Sequence, residues 1–362
     1  MDKLVFISAY PQGEGEKGGE FRRVFAIDRC FQDIPRTYLN IGFGTYCKKN
    51  IRKKGLVRIY ELNVFLHFFL LYKLLTSASV IYVQTLGSAL RILPFYFICH
   101  TIISDIHGVL SEEIREYTVF SWGQKWVRFY LYRLVEWIVG KKSKIIITVS
   151  HKMTNFMQQI YKATGEFYEI PIFDMSTPSK TVYENKNPYA FLYAGGVHAW
   201  QNIDLMISVM EKIAEVQTQA QFFLLGPSTD VFLEKIKGTI LESRTIVDCV
   251  TPDALYGYYQ SASWGFVLRE DNWTNRVACP TKLIEYMKYG VIPIVKSEAL
   301  GDFLDLGYEF VSYERITMDT LQERLSKNIR EKNMTIIQGL EKKAEKNLVK
   351  LRTVIRRLLD ER

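Results

Sequence analysis

The residues best placed to do chemistry lie between Ala262 and Val295, in ASWGFVLREDNWTNRVACPTKLIEYMKYGVIPIV. Arg269, Asp271 and Asn275 share a short polar loop, Pro280 and Thr281 mark a helix start, and Lys282 and Glu285 follow three residues apart. That spacing puts the ammonium and the carboxylate on one helix face, with Lys282 in the first turn. A helix N-terminus offers unbonded N–H groups to an anion, and a lysine there adds a full positive charge. The carboxylate accepts hydrogen bonds from a pair of neighbouring hydroxyls, so a diphosphate joined to a ribose matches the set. The plainer reading is a solvated Lys–Glu helix pair, against which stands the preceding Arg/Asp loop.

Three further segments have chemical potential. FLYAGGVHAWQNIDLMI brings Gly195 and Gly196 directly after an apolar run, either as a simple turn or as backbone N–H donors to phosphate. Asp105 and His107 stand just past another apolar run, where a neutral imidazole can bond a sugar hydroxyl or cap the next helix. GEGEKGGEFRR carries Gly18 and Gly19 after the first apolar run. It meets the dinucleotide fingerprint only loosely, and no acidic residue in strand context follows at the spacing NAD binding needs.

These residues have to be positioned by something, and the pattern supplies it. Short apolar runs alternate with amphipathic segments throughout, the signature of parallel strands joined by crossover helices. Strands are expected at Leu4 to Ala9, Ser79 to Val83, Thr101 to Asp105, Ile145 to Val149 and Phe167 to Ile170. A second set is expected at Ala190 to Ala194, Gln221 to Leu225, Thr245 to Asp248, Trp264 to Leu268, Ile292 to Val295 and Phe310 to Tyr313. The fold class is therefore α/β with two Rossmann-like domains, residues 1–173 and 189–333. A Ser/Thr/Asn/Pro-rich linker over 174–188 joins them, and an amphipathic helix over 334–362 closes the chain and packs back on the N-terminal domain. A chain of 362 residues suits two such cores. Paired domains of this kind bind ligands in the cleft at the carboxyl ends of their strands.

Composition narrows the partners. A net charge of +8 favours an anionic one. Nucleic acid is set aside because no recognition helix, aromatic RNA-binding strand or zinc module accompanies the charge. The 5 cysteines are odd in number and contain no Cys-x-x-Cys pair, which fits a reducing cytoplasm. No Asp-x-Asp motif is present. SWGQKWVRFYLYRLVEWIVGKKSK interleaves aromatics with cations, and KKNIRKKG adds a second basic cluster. The first reads either as a helix lying on an anionic membrane or as a crossover helix burying its aromatics.

The PTK-x-x-EY-x-x-x-G pattern of PTKLIEYMKYG resembles the family 4 glycosyltransferases of the GT-B fold, above all bacterial enzymes of capsule and cell-surface polysaccharide synthesis. The glycine turn at Gly195, the first-loop glycines, His107 and the LLGP and TVS segments appear in the family's order. The resemblance implies a retaining, metal-independent hexosyltransferase that uses a UDP-sugar in preference to a GDP-sugar. Its acceptor would be a glycan or an undecaprenyl-diphosphate-linked sugar at the inner face of the cell membrane. It assigns ribose binding to Glu285, donor-sugar contact to His107 and charge neutralisation to Arg269 and Lys282. The family's other glutamate, eight residues before Glu285, is Val277 here, so Asp271 or Asn275 is left to hold the donor sugar. Where many relatives carry Arg and Lys, this chain has Gly196 and Gln201. Those departures keep open a catalytically silent partner of a glycosylation complex, and a GT-B nucleotide-sugar epimerase remains a further alternative.

Overall fold

A computed structural model describes residues 3–11, 19–118, 120–171 and 186–361. Most of the expected linker, 174–185, and Gly18 of the first glycine loop lie outside the described residues. The chain divides into two compact units, one formed by Met1–Met175 with Lys342–Arg362 and the other by Ser176–Glu341.

The first unit begins with β1 (Leu4–Ile7), α1 (Gly19–Arg29), β2 (Arg36–Gly42), β3 (Asn50–Lys54), β4 (Val57–Asn63) and α2 (Phe68–Thr76). It continues with β5 (Val80–Gln84), α3 (Leu86–Arg91), β6 (Ile102–Asp105), α4 (Leu110–Tyr117) and α5 (Trp122–Lys142). β7 (Ile145–Thr148), α6 (His151–Tyr161) and β8 (Glu166–Glu169) complete its first pass. The eight strands order as β3-β4-β2-β1-β5-β6-β7-β8, parallel except for the β3–β4 hairpin. Every residue of β1, β5, β6 and β7 is buried, as expected for parallel strands covered on both faces. Phe6 stacks on Tyr38 with ring centroids 4.8 Å apart and anchors the centre of this core.

The sequence pattern missed β2, β3 and β4. β2 contains Arg36, whose burial is made possible by a bidentate pair with Asp28, at 2.7 Å to each oxygen. β3 is exposed at all positions, so the KKNIRKKG cluster forms a polar edge strand and its turn, with Gly55 at φ 59°.

The second unit runs β9 (Asn187–Ala194), α7 (Ile203–Val216), β10 (Gln221–Leu225), α8 (Thr229–Ile236), β11 (Thr245–Asp248) and α9 (Pro252–Ser261). After these come β12 (Ala262–Val267), α10 (Trp273–Arg276), α11 (Thr281–Lys288), β13 (Ile292–Val295), β14 (Val311–Ser312) and α12 (Met318–Arg324). Its six strands are all parallel in the order β11-β10-β9-β12-β13-β14. This is the doubly wound order in which the connections reverse direction beside the first strand, so a crevice opens past the carboxyl ends of β9 and β12. Phe191, Phe222, Trp264 and Phe266 fill the core beneath it.

The last helix, α13 (Lys327–Asp360), starts earlier than its apolar spacing indicates, at Lys327 instead of Met334. Leu348, Leu351, Ile355, Leu358 and Leu359 in its later turns are part of the first unit's core. Lys3 fastens its end by donating to the Leu359 carbonyl at 3.0 Å.

Candidate functional site

The site in the second unit is organised by α11. Pro280 occupies its N-cap at φ −64° and ψ 114°, and no side chain caps the helix, so no side chain competes for its first N–H groups. At the other end Gly290 adopts φ 66°, with Gly290 N–H donating to Met287 O at 3.2 Å and Val291 N–H to Tyr286 O at 2.8 Å. This paired C-terminal motif needs a left-handed residue, and glycine meets it without strain. Tyr286 fixes the helix to the sheet, since its hydroxyl accepts from Ala194 N–H at 3.1 Å and its ring lies where a Cβ on Gly265 would be only 2.4 Å away.

Lys282 is 6% exposed and points to the turn that follows β9. Its ammonium donates to Gln201 Oε1 at 2.9 Å and sits 3.6 Å from the centroid of the Tyr193 ring. Gly195 makes room for it: at φ 151°, an added Cβ there would meet Lys282 Nζ at 3.0 Å. Gly226 in turn passes so close to Gly195 that its own Cβ would fall 2.2 Å from the Gly195 carbonyl oxygen. Burial pushes the Lys282 pKa well below the ordinary lysine value; the nearby Arg269 guanidinium lowers it further and the Glu285 carboxylate opposes the shift. Two cations therefore converge on the switch-point crevice, one on the loop after β12 and one at the start of α11.

Glu285 is half-buried on the same helix and accepts from the Tyr259 hydroxyl at 2.6 Å. Tyr259 stacks on Tyr289 at 5.2 Å, which holds that phenol in place.

The intervening loop distinguishes the two residues left open for the donor sugar. Asn275 is 0% exposed and serves its own loop, donating to Glu270 O at 2.9 Å and accepting from Arg269 at 3.4 Å. Asp271 is exposed and forms a bidentate pair with Arg276 at 2.6 and 2.8 Å, which holds its pKa below the usual carboxylate range. Asn202, at φ 50°, tethers the loop through Leu268 O at 2.7 Å and Glu270 at 2.9 Å. Val277, in the place of the resembling family's other glutamate, is buried. Tyr193, Tyr259 and Asn202 carried no signal in the sequence; each acts through a contact with residues far away along the chain.

Asp105 and His107 belong to the first unit. Asp105 ends β6, is closed to solvent, and binds the Arg23 guanidinium at 2.6 and 2.9 Å and the Tyr82 hydroxyl at 2.9 Å. Despite burial, Arg23 and then His107 hold its carboxyl far below the usual range. His107 Nε2 lies 3.5 Å from Asp105 Oδ1, within ion-pair reach but, among the described residues, with no hydrogen bond to fix the ring. Val109, not His107, is the N-cap of α4, and the Glu136 carboxylate accepts from the Ser111 N–H in that helix's first turn at 3.0 Å. Gly19 is the first residue of α1.

No protein-family model matches the chain, and no curated protein matches it in sequence. Solved structures do. Sucrose-phosphate synthase from Thermosynechococcus elongatus superposes with a TM-score of 0.68 at 13% identity, covering 100% of both chains. The fold is that of the GT-B glycosyltransferases. The pneumococcal O-GlcNAc transferase GtfA, in complex with UDP and GlcNAc, gives 0.64 at 11% identity over 99% of both chains. Anabaena HepE in complex with UDP-glucose gives 0.60 at 13% identity over 100% of both chains.

Proposed function

We propose that this chain is a glycosyltransferase that moves a hexose from a nucleoside diphosphate sugar, a UDP-sugar in preference to a GDP-sugar, to a glycan or lipid-diphosphate-linked acceptor. One observation carries the reading. Among the described residues the buried Arg23, Arg36 and Lys288 each meet a carboxylate at 2.6 to 2.7 Å, whereas the buried Lys282 meets an amide oxygen and an aromatic ring. A buried ammonium without a carboxylate costs stability, and it sits beside a second cation, a glycine turn and an uncapped helix start. A diphosphate supplies the missing charge. The similar structures with bound UDP or UDP-glucose support that choice.

In the proposed reaction the acceptor oxygen bonds to the anomeric carbon on the face the leaving group vacates, so configuration is retained. The bond from that carbon to the β-phosphate oxygen breaks, and its electron pair stays with the diphosphate. The acceptor proton passes to the departing phosphate oxygen. Lys282, Arg269 and the α11 N–H groups stabilise the charge growing there, the largest contribution expected in such a site. Glu285 holds the ribose, Asp271 is the donor-sugar candidate open to solvent, and His107 keeps the donor-sugar hydroxyl that the resemblance gives it. No step is assigned to a metal. A place in surface polysaccharide synthesis at the cytoplasmic face of the cell membrane is part of the same proposal and rests on the sequence resemblance.

The test is nucleotide release from UDP- and GDP-sugars in the presence of candidate acceptors, comparing wild type with Glu285→Ala and Lys282→Ala. Equal turnover in all three removes the site assignment. Gln201 and Val277, neutral where relatives carry charge, favour a second reading as a silent partner subunit. Calorimetric binding of UDP-glucose with no transfer to any acceptor would select it.

A further inference from the structure

The first unit has a face that its own core leaves uncovered. On α2 and the segment leading into it, Phe65 is 70% exposed and Phe69 88% exposed, with Leu66, Phe68 and Tyr72 also facing solvent. The 3-10 turn Leu93–Phe97 and the residue after it add exposed Phe97 and Ile98. On α5, Trp122 is 80% exposed, and Val127, Tyr130, Leu134 and Trp137 recur at helical spacing along one solvent-facing stripe. The turn meets both helices. Phe68 and Tyr72 lie 6.1 and 6.4 Å from Phe95 in the turn, and the Lys142 ammonium of α5 lies 5.2 Å from the Phe97 ring. Contiguous exposed aromatics on this scale mark a binding surface.

Charge identifies what binds. No Asp or Glu occurs between Glu61 and Asp105, and the one acidic residue from Thr118 to Gly165 is Glu136. Glu136 is 0% exposed and is consumed by Ser111 and Tyr161. Every solvent-facing charge on α2 and α5 is therefore a cation: Lys73, Lys125, Arg128, Arg133, Lys141 and Lys142. A second copy of this chain would set cations against cations across a two-fold interface. Protein interfaces are also depleted in lysine. The α4 carboxylates beside α5, Glu112 and Glu116, are paired with Arg115 and Arg133, so exposed aromatics interleaved with cations remain and match the headgroup zone of a bilayer, where rings seat at the acyl boundary and cations meet anionic phosphates. Among the described residues no helix is long and apolar enough to cross a membrane, so the face lies on the bilayer and does not span it.

We propose that α2, the 3-10 turn and α5 together dock this chain onto an anionic lipid surface. The surface shares no residue with the nucleotide-sugar site, so vesicle binding and UDP-glucose binding are read separately. The test is sedimentation of the full chain with phosphatidylcholine vesicles, with and without phosphatidylglycerol, over a range of salt. Binding is expected only where phosphatidylglycerol is present and is expected to fall as salt rises. Neutralising Lys125, Arg128 and Lys142 to Gln should weaken it about five-fold per cation. Phe69→Ser with Trp122→Ser should weaken it at least as much, with unchanged circular dichroism and unchanged UDP-glucose binding because none of these side chains is buried. Equal affinity for neutral and anionic vesicles overturns the proposal. So does absence of vesicle binding, whether the face then proves to hold an acidic protein partner or a self-association that Phe69→Ser disrupts.

Discussion

Replacing Lys282 with Met separates a binding role from a structural one because the two predict opposite signs. The ammonium is buried, its pKa is driven well down by desolvation and by Arg269, and among the described residues its bonded partners are the Gln201 amide oxygen and the Tyr193 ring. The sign follows directly: the unfolded chain holds this proton more tightly than the folded one, so the group subtracts from stability at neutral pH. A methionine of similar length removes that penalty, and exchanges of uncompensated buried charge for apolar groups gain about 1–4 kcal/mol. Against this stands the Gln201 oxygen left without its donor, which costs about 1–3 kcal/mol. The net is a gain on the order of 1 kcal/mol, or a rise in Tm of roughly 2–4 °C for a unit of this size. Removing a desolvated cation from a phosphate costs about 2–5 kcal/mol of affinity, and the wild-type lysine spends part of that taking up its proton. The lower end, about a 30-fold weaker Kd for UDP-glucose, is therefore expected. Scanning calorimetry without ligand and titration calorimetry with UDP-glucose read the two effects. A lower Tm with unchanged UDP-glucose affinity would show that Lys282 is a tether for Gln201 and would end the argument for a phosphate site.

Four other outcomes follow from the same geometry. Binding of UDP-glucose, whose diphosphate does not titrate near neutrality, should take up a proton as the new anion restores the Lys282 pKa; affinity then declines as pH rises above the free-protein value. Calorimetry in buffers of different ionisation heat detects this, and a buffer-independent heat contradicts it. Glu285→Gln should weaken UDP affinity about 5- to 30-fold by trading a charged acceptor for a neutral one, whereas Tyr259→Phe, which keeps the carboxylate, should change it by less than about three-fold in direct titration. Gly195→Ala puts a Cβ 3.0 Å from the Lys282 ammonium at φ 151°, so donor affinity should fall more than about ten-fold while far-ultraviolet circular dichroism is preserved. Val277→Glu, which restores the resembling family's residue, should destabilise the fold by about 2–5 kcal/mol in urea unfolding because Val277 is buried; a stable variant with tighter donor binding would show that the loop has room for the carboxylate.

How much of this the sequence disclosed depends on whether a feature is local. The buried parallel strands were legible because their apolar runs are continuous, as in IIIT of β7 and IPIV of β13. β2 and β3 were not, because β2 opens on Arg36 and mixes Thr37 and Asn40 with its apolar residues, and β3 carries a single apolar residue, Ile51. Arg36 becomes a core residue only once Asp28 and Tyr38 surround it, a condition that periodicity does not encode. The start of α13 was obscured for a similar reason, since Lys327 to Lys332 carry one apolar residue, Ile329, which packs against the second unit's core. The cationic helix start at Lys282 was legible from Pro280, Lys282 and Gly290 alone. Its surroundings were not, because Tyr193, Gln201 and Tyr259 arrive from three other elements.

The same fold treats buried charge in two ways, and the contrast bears on Gln201. In the first unit Arg23 with Asp105 and Tyr82, and Arg36 with Asp28 and Tyr38, form closed networks that leave no charge seeking a partner. Such networks are close to neutral in stability when intact and costly when one member is lost, so they fix geometry. In the second unit Lys282 faces a neutral amide, and Arg269 adds to its burden instead of relieving it. A cation at position 201 would have raised that burden further; glutamine lowers it, and its carbonyl holds the Lys282 ammonium beside the Gly195 turn. On this view the neutral residue at 201 exchanges one phosphate charge for orientation of another. The arrangement retains the convergence of Lys282, Arg269 and the α11 N-terminus on which the proposed diphosphate site depends, while keeping the protein stable enough to fold.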